Sequence, residues 1–339
     1  MKYFFFHWFL FLSICCFSGC KAQTTFGENY LQVTKIISLP GIKGRIDHLD
    51  INLKKQIVYV AALESNAVEV VDINNGKVLH SITGLDEPQG IAYLPQNQEI
   101  FVANGGNGNC YFFNANTFQK VATVKLKSDA DDVRYDSAGK KIYVGYGRGG
   151  IAIIDAASHK QTGDVKLPCH PEGFQIDPKT NLLYLNLPSA NLISVVDLKQ
   201  LKLIRNISEN YRSGNFPMAL DSSGKRLFIG YRHPGKLVVM NAKSGHRISV
   251  SELTNDSDDL FYDEETKRIY VSCGGGYANS GYINIFQSEG GEKCKQIANI
   301  PTRNGARTSL LVPQLNLFLL AEPSVYSYDS ELVVYKTQK

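Results

Sequence analysis

Two acid-rich phrases, SDADDVRYD at 128–136 and NDSDDLFYD at 255–263, stand 127 residues apart in a chain of 339. Each carries an Asp pair before an apolar run, Asp131-Asp132 and Asp258-Asp259. Clustered carboxylates can hold a hard cation such as Ca²⁺ or Mg²⁺. Asp131, Asp132, Asp258, Asp259, His48 and Glu172 form the candidate metal set, and its imidazole, joined by His170 or Cys169, would suit Zn²⁺ or Mn²⁺ instead. The phrases RIDHLD, CHPEGF and TRNGARTS add Arg45, Asp47 and His48, then His170 and Glu172, then Arg303 and Arg307. Guanidiniums of this kind could grip an anionic group, and either histidine could move a proton. An Asp ahead of a strand also has a purely structural use, accepting hydrogen bonds from the local backbone. No GxSxG, HExxH or P-loop motif occurs, so no nucleophile is marked.

The elements that must position these residues recur. Short apolar runs repeat around seven aromatic anchors: Tyr59, Phe101, Tyr143, Tyr184, Phe228, Tyr270 and Phe318, at steps of 42, 42, 41, 44, 42 and 48. A second run follows each anchor (VEVVD, CYFFN, IAIID, ISVVD, LVVMN, INIFQ, LVVYK). Runs rich in Val, Ile, Tyr and Phe, bounded by Gly, Asn, Asp and Pro, read as strands. Several are apolar throughout, which requires burial on both faces. A period of roughly 40–45 residues holding four strands is the signature of a propeller blade. The sequence therefore predicts an all-β, seven-bladed β-propeller of four-stranded blades. The last repeat lacks a fourth strand, while LQVTKIISL at 31–39 is a surplus strand at the other end, so the N-terminal strand is expected to close the last blade.

The chain resembles the YVTN-repeat β-propellers, exported prokaryotic proteins. IFVAN at 100–104 and IYVG at 142–145, each leading into a strand such as IAIID, carry the likeness, although the literal YVTN tetrapeptide is absent. The resemblance implies a surface, periplasmic or binding protein of the cell envelope. The sole tryptophan, Trp8, precedes the repeats, which fits poorly with WD-repeat or tryptophan-docked propellers.

Label the strands of a blade A to D from the axis outward. Antiparallel order puts the A–B and C–D turns on one face and the B–C turns and D–A crossovers on the other. Eleven residues before each anchor stand His48, Gly90, Asp132, Gly173, Pro217, Asp259 and Arg307; one residue earlier stand Asp47, Gln89, Asp131, Glu172, Phe216, Asp258 and Ala306. These positions should ring the crossover mouth of the central channel. The two Asp pairs, three blades apart, would then face each other across one opening. Arg45, His170 and Arg303 should lie near them. Gly-rich B–C turns on that face, such as NGGNGN, GRGG and YRHPG, could approach a ligand closely.

The N-terminus reads as a processing segment. An apolar stretch after Lys2 ends in Phe17-Ser18-Gly19-Cys20, resembling a lipoprotein signal in which Cys20 becomes the lipid-bearing first residue. An ordinary cleaved signal and an uncleaved anchor are the alternatives. The expected organisation is a signal over 1–19, a lipidated tether over 20–30 and one propeller over 31–339, tied to a bacterial membrane outside the cytoplasm. Cys110, Cys169, Cys273 and Cys294 show no CxxC spacing and read as small buried apolar residues. Composition is ordinary for a globular chain, 43% hydrophobic and 20% charged, and a net charge of +4 is too small to argue for nucleic acid without a localised basic patch, so no nucleic-acid partner is expected.

Two functional readings follow. In the first, a lipid-anchored monomer binds a small ligand or an envelope protein at the crossover mouth. In the second, it is a metal-dependent hydrolase, lactonase or lyase with its site at the same mouth; some propellers of similar shape work in this way. The missing nucleophile motif favours binding. A third, an electron-transfer role, is weakened by the lack of a CxxCH motif.

Overall fold

The computed structural model describes Met1 and residues 29–208, 214–221, 223, 225–276, 280–289, 293–325 and 328–338. The expected signal and most of the tether, Cys20 included, lie outside the described residues.

Seven antiparallel four-stranded sheets are arranged around an axis, each starting from an inner strand: Leu49–Asn52, Pro88–Leu94, Ala130–Asp136, Phe174–Asp177, Asn215–Leu220, Ser257–Asp263 and Thr308–Val312. Every inner strand touches the inner strands of both neighbouring blades, the seventh touching the first, so the ring is closed. Six blades are continuous in sequence. The seventh takes its outer strand from the N-terminus, Leu31–Ser38 pairing with Glu331–Thr337 from Leu31↔Thr337 to Ser38↔Glu331. The surplus strand is thus consumed, and the ring is held shut by a ladder between the chain's two ends.

The core explains why the second and third strands are apolar without alternation. Seven hydrophobic clusters each combine residues of two adjacent blades, one cluster for every interface in the ring. Both faces of a blade are therefore buried, and period-2 patterning survives only outside, as in Lys202–Ser208. All seven aromatic anchors are at most 5% exposed. Cys110, Cys273 and Cys294 are buried, Cys169 partly so, and all four are unpaired.

The two faces are built differently. On the A–B face a left-handed residue closes most turns (Gln56, Gln98, Lys140, Asn181, Lys267, Asn316, φ 52–58°). Its carbonyl accepts a backbone N–H from the neighbouring C–D turn, as in Ile73→Gln56 at 3.2 Å and Ala156→Lys140 at 3.0 Å. Thr337 makes the same bond to Asn316 at 2.9 Å, which places Leu31, its ladder partner, on the A–B face. On the crossover face, left-handed Glu87, Asp129 and Asp256 present carbonyls to Gly105, Gly147 and Gly274 of the B–C turns at 2.8–2.9 Å. Asp tolerates this backbone region better than most residues. Part of the repeated acidic phrase is therefore structural.

Candidate functional site

A channel of ≈ 870 Å³ runs along the axis, lined at its crossover mouth by His48, Asp132, Glu172, Asp258 and Asp259. Glycine lets the inner strands come together here: a Cβ on Gly90 would overlap the Asp131 carbonyl, and one on Gly173 would lie 2.5 Å from the Phe216 carbonyl.

The ionisable groups fall into three clusters. In the first, His48 sits among three carboxylates, with Nδ1 3.5 Å from Asp259 and Nε2 3.7 Å from Asp47 and 3.9 Å from Asp132. Burial opposes its charge, but Asp47, Asp259 and Asp132 outweigh burial and raise its pKa well above the usual imidazole value. Asp47 also accepts from Arg45 at 2.8 Å, Asp132 is paired with Arg134, and Asp259 accepts the Ser309 N–H at 2.8 Å.

The second cluster is an ion-pair network. Asp258 pairs with Arg232 and, at 2.9 Å, with Arg307 Nε; Arg307 Nη1 also binds both oxygens of Asp256 at 2.9 and 3.0 Å. The Arg232 guanidinium lies on the Phe216 ring, 3.4 Å from its centroid. Burial pushes the Asp258 pKa up, yet Arg232 and Arg307 overcome it and hold the carboxyl well below the usual range.

In the third cluster, donor atoms of Asp131, His170 and Glu172 all lie within 4.8 Å of one another. His170 Nε2 is 3.5 Å from Asp131, while Nδ1 faces the Gly147 carbonyl at 2.6 Å and Asp129 at 3.4 Å. Burial lowers the His170 pKa, but Asp131 and the Gly147 carbonyl carry it up to about 9. Burial, then the charge of Asp131, pushes Glu172 up to about 8.

The two Asp pairs do share one opening, but their four carboxylates do not share one partner. Asp131 faces His170, Asp132 faces Arg134 and His48, Asp258 faces two arginines, and Asp259 faces His48. The six-residue metal set expected from sequence is thereby divided: only Asp131 and Glu172 join a metal-type cluster, and their third member is His170. Arg303 is also elsewhere. Its guanidinium pairs with Glu322 at 3.3 Å and Glu331 at 2.6 Å within the seventh blade. Four participants did not stand out in the sequence: Asp129, Asp256, Arg134 and Arg232. Asp129, Arg134 and Asp256 sit inside the repeated phrases, and Arg232 lies in YRHPG at a B–C turn, so a charged residue in a B–C turn was the available signal for the fourth.

No family model and no curated protein matches the chain. Among solved structures, a chain of the "Crystal Structure of Mitotic Checkpoint Complex" superposes with a TM-score of 0.76 at 16% identity, over 100% of both chains. Fold and topology define the class: a seven-bladed β-propeller closed by its N-terminal strand. At that identity the likeness speaks for the fold alone.

Proposed function

We propose that this chain is a binding propeller of the YVTN-repeat kind, which takes a small polar ligand or an exposed segment of an envelope protein at its crossover mouth. One observation carries the reading: ionisable side chains from different crossovers, His48, Asp132, Glu172, Asp258 and Asp259, converge on the mouth of a single channel. A concave opening with convergent charged groups is where ligands bind by default. A lipid on Cys20 would hold the propeller as a monomer at a bacterial membrane. The tether over Lys21–Tyr30, at most roughly 35 Å when extended, joins at Leu31 on the A–B face. The crossover mouth would then point away from the lipid surface, free to meet a partner. The Asp131–His170–Glu172 grouping supports the second reading, metal-assisted hydrolysis or lysis, since an ion there could polarise an oxygen of a mouth-bound substrate.

The test is a thermal-shift screen of charged and polar small molecules against wild type, an Asp131→Asn/Arg307→Gln variant and a variant of the A–B face outside the channel, Lys199→Ser/Lys243→Ser. Compounds that raise the wild-type melting temperature should lose their effect in the first variant and keep it in the second. The opposite pattern would move the site to the A–B face and refute the proposal.

A further inference from the structure

We propose that Asp131, His170 and Glu172 form a three-ligand site for a borderline divalent cation, Zn²⁺ or Mn²⁺, opening toward the channel mouth. The inference rests on the reading of that mouth as the binding site. Three features of the side chains support it.

The first is spacing. Ligands bound at 2.0–2.2 Å in a tetrahedral site stand about 3.4 Å apart. His170 Nε2 and Asp131 Oδ2, 3.5 Å apart, already match one such edge. The third donor lies within 4.8 Å of both, so an inward movement of Glu172 by no more than about 1.4 Å brings it to the same spacing. No hydrogen bond has to break for this movement, because among the described residues its carboxylate accepts none, while its backbone N–H is fixed to the Asn186 carbonyl at 3.0 Å.

The second is the outer contact of the histidine. Its Nδ1–H donates to the Gly147 carbonyl at 2.6 Å, a bond from outside the three-residue cluster. That bond fixes ring orientation and commits Nε2, the other nitrogen, to the two carboxylates. A metal-ligating histidine is normally held in this way.

The third is the contrast with the other carboxylates at the mouth. Arg134, Arg232, Arg307 and the Ser309 N–H engage Asp132, Asp258 and Asp259, whereas Glu172 has no cationic side chain in ion-pair contact. One imidazole and two carboxylates suit Zn²⁺ or Mn²⁺. Ca²⁺ would call for six to eight oxygens at 2.3–2.6 Å, more than three side chains supply. Since Glu172 lines the channel, the remaining coordination positions face a bound ligand, and an oxygen of that ligand would complete the shell.

The test uses untagged full-length protein, stripped of metal and dialysed against Zn²⁺, Mn²⁺ or Ca²⁺ alone, with bound ion measured directly. About one Zn²⁺ or Mn²⁺ per chain is expected, with Ca²⁺ at least about tenfold weaker. Glu172→Gln and His170→Gln should each weaken binding by about tenfold or more, and Asp155→Asn, on the opposite face, should not. Thermal melts verify folding, and Glu172→Gln removes no hydrogen bond, so it should fold normally. Absence of a stoichiometric ion, equal binding of Ca²⁺, or unchanged affinity in Glu172→Gln would each overturn the inference. The ligand screen above, repeated on metal-free protein, separates the two ideas. Shifts that still map to the mouth while no metal binds would sink the metal site alone. Loss of both would sink the reading of the mouth as well.

Discussion

Neutralising Asp258 should test the ion-pair network most directly. In Asp258→Asn the carboxylate between Arg232 and Arg307 loses its charge, leaving two guanidiniums with Asp256 as their remaining acid. The side chains are 14%, 20% and 9% exposed for Arg232, Arg307 and Asp258, so water cannot fully replace the lost partner. Removing one member of a buried pair costs ~3–5 kcal/mol. Asp256 already binds Arg307 bidentately, which places the expected loss at the lower end, about 3 kcal/mol. An unfolding entropy of ~2.1 cal/mol/K per residue, over roughly 310 residues, is about 0.65 kcal/mol/K, so the melting temperature should fall by about 5 °C. The pH dependence has a definite sign. The folded pKa of Asp258 is depressed, so its stabilisation is complete above the unfolded value of about 4 and is lost as pH falls through the lower folded value. Differential scanning calorimetry at pH 7 and pH 2, with and without 1 M NaCl at pH 7, is the assay. The deficit should be nearly the same down to pH 4, shrink at pH 2, and persist in salt at pH 7, because the network is shielded from solvent. A deficit under 1 °C, or one abolished by salt, would show that the pair behaves as a screened surface contact.

Gly90→Ala should lower stability by about 1–3 kcal/mol, because the new methyl overlaps the Asp131 carbonyl and the backbone must move; a neutral melt would mean the inner ring is looser than this contact implies. Asp50, whose pKa burial raises to about 6, accepts the Tyr93 N–H at 2.6 Å on the channel wall. Its raised folded pKa means stability should fall as pH rises from about 4 to 6, by at most about 3 kcal/mol after allowing for water in the channel. Asp50→Asn should flatten that slope, and parallel curves for variant and wild type between pH 4 and 8 would refute the assignment. If Cys20 carries the lipid, proteolysis of vesicle-bound protein should cut crossover loops faster than A–B turns. Faster cleavage of the A–B turns would reverse the orientation.

Spacing and composition alone were enough for the blade count, the blade interfaces and the closure. The anchors recur because each blade must bury both faces against its neighbours, and that demand writes itself locally as apolar runs of strand length. The missing fourth strand at one end and the surplus strand at the other are likewise countable in one dimension. Placement of the acidic phrases at one mouth follows from the same count, since position within a repeat maps to height along the axis. The partnerships at that mouth are not countable. Asp131 and Asp258 occupy equivalent repeat positions, yet one meets His170 and the other meets Arg232 and Arg307. The difference arises in loops of neighbouring blades, whose side chains reach across from sequence-distant turns. Arg303 shows the same limit in reverse: four residues from Arg307, it turns outward to Glu322 and Glu331 because the seventh blade supplies those carboxylates. Repeat position dictates where a side chain starts, while burial and neighbouring charge decide what it holds.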